Sequence, residues 1–133
     1  MPSKIFNPEG LPPPTGYSHV AAVTGGNILY ISGQVSSDTS GAIVGAGDFG
    51  AQVEQVFANL KRAAEGAGGK FQDIVKFNVF IVGSVGAGGI PVFREVRNRY
   101  VGGATPPAST LLIVNGLARP EWLIEVEAVA VIG

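Results

Sequence analysis

The stretch Leu123 to Ile132, LIEVEAVAVI, constrains the fold more than any other part of the chain, because it sets two carboxylates inside a nearly unbroken run of β-branched and small apolar residues. β-Branched side chains favour a pleated strand, and a strand's period of two puts Leu123, Glu125, Glu127, Val129 and Val131 on one face. The opposite face, Ile124, Val126, Ala128, Ala130 and Ile132, is wholly apolar and calls for a covering layer of helices. Hydrophobic residues flank the acids too, so their face is not simply a solvated surface. Two readings of the acids stand side by side. They are exposed or paired with arginines, or Glu125 lies in a cleft where loss of water raises its affinity for a proton and suits it to general acid–base work.

The remaining chain alternates strand and helix patterns. Asn7 to Gly16, with four of the nine prolines, predicts an ordered but irregular arm that leads into Tyr17. Val20 to Thr24 and Ile28 to Ser32 are predicted as a hairpin turning at Gly25-Gly26-Asn27, with a further short strand near Lys4 to Phe6. Gly33-Gln34 then interrupts the second strand, as a bulge or as a place where another group approaches closely. From Asp48, a capping residue, Phe49, Val53, Val56, Phe57, Leu60 and Ala64 recur at helical spacing, and Gln52, Glu54, Gln55, Asn59, Lys61 and Arg62 are assigned to a solvated side. Asp73 to Val82 reads as a central strand covered on both faces. A second helix carries Val92, Phe93, Val96 and Tyr100 inward and Arg94, Arg97 and Arg99 on a polar face. Ser109 to Val114 is a fifth strand. The order β-β-α-β-α-β-β implies one α+β domain over residues 1–133, a mixed sheet of about six strands with two helices on one face and its other face still to be covered.

Composition narrows the function. The chain has 133 residues, enough for one domain with a full core, yet only 14% are charged against 46% hydrophobic. About 25% charged is usual, so the deficit points to apolar exterior buried in a homo-oligomer, most simply a closed ring. A net charge of −1 spread along the chain gives no footprint for nucleic acid or an anionic membrane. With no cysteine and one histidine there is no disulfide, zinc cluster or cysteine nucleophile. No signal peptide or membrane span is readable in the sequence, and a cytoplasmic protein is expected. The loop GSVGAGG, Gly83 to Gly89, lacks the lysine and hydroxyl of a phosphate-binding loop.

Several motifs, Ile31-Ser32-Gly33-Gln34, Asn59-Leu60, Asp73-Ile74-Val75-Lys76, Pro107-Ala108-Ser109-Thr110 and Glu125-Val126-Glu127-Ala128, resemble in order and spacing those of the RidA/YjgF family of reactive intermediate deaminases, also called the endoribonuclease L-PSP family. The resemblance runs from about Tyr17 to Val131. It implies a chorismate-mutase-like α+β fold, a cytoplasmic homotrimer whose sheets form a central barrel, and small-molecule clefts between subunits. Family deaminases hydrolyse imines and enamines to a keto acid and ammonia without a cofactor or metal. What the resemblance implies for the site is Glu125 as the catalytic group that orients water, with Tyr17, Ser32, Gly33, Ala108 and Ser109 lining the substrate cleft.

Ala108 departs from the family pattern, in which an arginine at the matching position holds the substrate carboxylate. Alanine offers no donor beyond its backbone N–H, where a guanidinium would bind bidentately. Weak hydrolysis of 2-imino acids is therefore expected, improved by Ala108→Arg. Arg119, in the turn Gly116 to Pro120, is the first candidate to compensate, with Arg97 and Arg99 behind it. The leading expectation is a hydrolase acting on an imine, an enamine or a related C–N compound, with a non-enzymatic ligand-binding or regulatory trimer as the alternative. A third reading, an endoribonuclease, is opposed by the acidic balance and the lack of basic, aromatic surface.

Overall fold

The computed structural model describes residues 2–133. Six strands and two long helices follow in order: β1 (Ser3–Phe6), β2 (Val20–Val23), β3 (Asn27–Gln34), α1 (Phe49–Gly66), β4 (Ile74–Val82), α2 (Ile90–Val101), β5 (Ala108–Val114) and β6 (Ile124–Ile132). The main sheet has the order β3-β6-β4-β5, with β4 and β5 parallel and the other pairs antiparallel, while β1 and β2 form a separate ribbon. The fold is the α+β arrangement expected from the alternation of patterns.

Helix α1 starts where Asp48 Oδ1 accepts from the backbone N–H of Ala51 at 3.0 Å, which satisfies one of the orphan donors of the first turn. Its apolar stripe, Val53, Val56, Phe57, Leu60 and Ala64, is buried, as are Phe93, Val96 and Val101 of α2. Both helices lie on the sheet face formed by Phe77, Val79 and Ile81 of β4 and Ile124, Val126, Ala128 and Ala130 of β6. The Phe57 ring is the hub of this core, with centroids of Phe71, Phe77, Phe93 and Tyr100 at 6.0, 5.8, 5.7 and 5.4 Å.

The opposite sheet face is bare in the single chain. Leu29 and Ile31 pack inward, so Ile28, Tyr30 and Ser32 of β3 point away from the helices. Tyr30 is 82% exposed and Leu112 of β5 is 49% exposed. The outward residues of the predicted central strand, Lys76, Asn78 and Phe80, are only half-buried. Cover on both faces of β4 is thus not achieved within one chain.

Three sequence expectations need correction. The β2–β3 hairpin does not form: β2 pairs with β1, and β3 with β6. A two-residue hairpin turn needs positive φ at both central residues (type I′) or at the first (type II′), but of Gly25 and Gly26 only Gly26 has it, at 78°. The long apolar β6 also offers β3 more cross-strand contact than the short VAAV segment does. Gln52, assigned to a solvated side, is fully buried. Its Nε2 donates to the carbonyls of Gly45 and Glu121 at 3.1 and 2.9 Å, and its Oε1 accepts from Leu123 N–H at 2.9 Å. Finally, the α2 arginines do not share one polar face, since Arg99 pairs with Glu54 of α1 and Arg97 is buried.

Candidate functional site

The residues that sequence reasoning grouped together fall into two groups within one chain. The first lies on the bare sheet face around Glu125. Register places Glu125 of β6 opposite Phe80 of β4, and Glu127 opposite Asn78. Asn78 Nδ2 donates to Glu127 Oε2 at 3.2 Å, leaving Glu127 exposed and hydrogen-bonded, whereas Glu125 is half-buried and has no such donor among the described residues. Burial first, and the charge of Glu127 second, push the Glu125 carboxyl above the ordinary carboxylate value.

The interruption at Gly33 has a definite cause in this group. The β3–β6 register shifts between Ile31 and Gln34, and the side chain of Glu125 folds against the freed backbone. A Cβ built on Gly33 would stand 2.8 Å from Glu125 Cδ, closer than real side-chain carbons approach. Glycine there lets the carboxylate lie along the strand next to Ser32-Gly33.

The second group lies at the edge strand β5. Ser18 donates from its hydroxyl to the Pro106 carbonyl at 2.6 Å and from its N–H to the Pro107 carbonyl at 3.1 Å, which fastens the proline-rich arm beside Ala108. Tyr17 is thereby held over the helix side of β5. Ser109 and Leu111 face that side, whereas Ala108 pairs with Lys76 and shares the opposite face with Thr110, whose hydroxyl meets Lys76 Nζ at 3.0 Å. Ala108 and Ser109 therefore look into different spaces.

A cavity of about 290 Å³ opens between the arm, α2 and β5, lined by Thr15, Tyr17, Phe93, Arg94, Arg97 and Ser109 among others. Arg97, the residue that sequence reasoning placed on a polar helix face, is 5% exposed. Its guanidinium lies 5.6 Å from the Phe93 ring centroid and donates through Nε and Nη2 to Asn98 Oδ1 at 3.3 and 3.1 Å. Gly16, at φ 78°, backs onto it so closely that a Cβ there would stand 3.0 Å from Cζ. Among the described residues no carboxylate forms an ion pair with it. Burial, then the neighbouring charge of Arg94, lowers its proton affinity. The signal was present in the sequence: 93, 96, 97 and 100 are the i, i+3, i+4, i+7 positions of one stripe, and Arg97 occupies one of them. Arg119, by contrast, is held at its turn by Glu121, at 3.3 Å, and by the Trp122 ring.

Comparison with known proteins agrees with this architecture. The family described as endoribonuclease L-PSP matches residues 9–132. The chain is 32% identical over 130 residues to 3-aminoacrylate deaminase RutC of Acinetobacter baylyi, covering 98% of each protein. Among solved structures, the Rid family protein YyfB from Yersinia pestis superposes with a TM-score of 0.92 at 35% identity, over 99% of this chain and 100% of that one. RidA from an Antarctic Psychrobacter superposes at 0.71 with 33% identity, over 97% and 99%. With its motifs, topology and nearly full-length matches in agreement, the chain belongs to the Rid family, the endoribonuclease L-PSP family of proteins.

Proposed function

We propose that the protein is a hydrolytic deaminase of a small imine or enamine, working in clefts between the subunits of a homotrimer. The observation that carries this reading is Glu125: a half-buried carboxyl with raised proton affinity, on the sheet face that the helices leave bare, lying against the bulged backbone of Ser32-Gly33. A carboxyl that gains and loses a proton nearer to neutral pH suits both halves of such a reaction. The deaminase RutC among its relatives supports the same class of chemistry.

In this reading Glu125 takes a proton from water as the water oxygen bonds to the imine carbon, and returns that proton to the imine nitrogen. The resulting carbinolamine then gives its hydroxyl proton to Glu125, which passes it to the departing nitrogen. The C–N bond breaks, the carbonyl forms and ammonia leaves, so imine and water balance carbonyl and ammonia. The backbone at Ser32-Gly33 is available to hold a polar substrate atom. Tyr17, Ala108 and Ser109 sit at the edge strand, and a neighbouring copy that brings its edge strand to the Glu125 face completes the cleft. The test is hydrolysis of an imine generated in situ by an amino-acid oxidase, comparing the protein with Glu125→Ala. Acceleration by the first and not the second is expected. No acceleration by the unmodified protein would leave a ligand-binding trimer as the better reading.

A further inference from the structure

The cavity between α2 and β5 combines features that its neighbours lack. It holds two cations, Arg94 and Arg97, and no carboxylate among the residues that line it. Arg97 is nearly inaccessible, stacked between the Phe93 ring and the Gly16 backbone, and its only hydrogen-bond partner among the described residues is one neutral amide. Removing a charge from water without a counter-charge is costly, and side chains buried in that way ordinarily have a paired ion. Tyr17 and Ser109 add hydroxyl donors beside it. Arg94 is exposed at the same cavity, one helical turn earlier.

We propose that this cavity binds a small dicarboxylate, one carboxylate seated on Arg97 and the other on Arg94 at the mouth. The site goes beyond the reading above: it opens on the helix side of β5, whereas Glu125 lies on the bare sheet face, so the dicarboxylate is a ligand separate from the compound hydrolysed at Glu125. Arg97, with a planar fork, suits bidentate capture of the inner carboxylate.

Calorimetric titration of the intact protein with 2-oxoglutarate, 2-oxobutanoate and inorganic phosphate tests it without relying on turnover. The dicarboxylate is expected to bind most tightly. Arg97→Met should weaken 2-oxoglutarate by about 10- to 100-fold, the loss of a charge-assisted contact. Arg94→Met should bring 2-oxoglutarate down to the level of 2-oxobutanoate and leave the latter unchanged. Arg97→Met should also melt no lower than the parent, because a buried cation lacking a carboxylate partner gives way to an apolar side chain at no cost. Arg97→Lys, which keeps the charge and loses the fork, serves as a second variant and should show intermediate affinity.

No binding of 2-oxoglutarate, phosphate binding as tightly, or indifference to Arg97 would overturn the assignment. So would a lower-melting or dissociating Arg97→Met, which would place the arginine's partner on a neighbouring subunit. A protein that binds 2-oxoglutarate through Arg97 yet hydrolyses no imine would sink the deaminase reading alone. An active deaminase with affinities unaffected by Arg97 would sink this one alone.

Discussion

Glu125 and its immediate neighbours make the sharpest residue-level expectations. Because folding raises the affinity of Glu125 for a proton, the native state binds more protons than the unfolded chain from the ordinary value of 4.5 up to the raised one. Stability should therefore fall as pH rises through that window, and pH-dependent melting of Glu125→Gln should lack this component. Glu127→Gln removes the second cause of the shift and should move the acid limb of any Glu125-dependent rate to lower pH, read from a pH–rate profile. Gly33→Ala probes position rather than charge. The new methyl would displace the movable end of Glu125 rather than backbone, so the melting temperature should barely change while the imine hydrolysis rate falls. The glutamates were legible as a pair on one strand face, but that Gly33 exists to admit Glu125 was not, since the two are 92 residues apart (125 − 33) and meet only through the β3–β6 register.

At the scale of elements, periodicity located both helices and all six strands, because spacing of apolar residues is a property of the local chain. Pairing was less legible: β2 and β3 are adjacent in sequence, yet β3 chose a partner about 100 residues away. Gln52 was misread for a related reason. A glutamine next to a helix's apolar stripe looks solvated until a separate loop and the start of β6 arrive to use its amide. Gln52→Ala would leave buried backbone groups of Gly45, Glu121 and Leu123 without their partner, and should cost about 2–4 kcal/mol in denaturant unfolding. A change near zero would mean that water replaces the amide without loss.

For the whole molecule, low charge content and large apolar side chains exposed on the bare sheet face carry the same message. Ile28, Tyr30 and Leu112 leave a hydrophobic surface of the kind that lone soluble domains seldom show, and a homotrimer of about 41 kDa, three chains of 13.6 kDa, is expected by light scattering. Tyr30→Arg should shift the population toward monomer by placing a charge on that face. The sequence revealed the need for cover through its scarce charge, while the identity of the uncovered surface required the sheet order. That order has a further consequence for synthesis. Strand β6 lies between β3 and β4, although it follows both in the chain. A ribosome that has reached only Leu123 has therefore made a lone β3 and a β4–β5 pair with no strand to join them, and each nascent chain must wait with its aromatic core uncovered until β6 emerges.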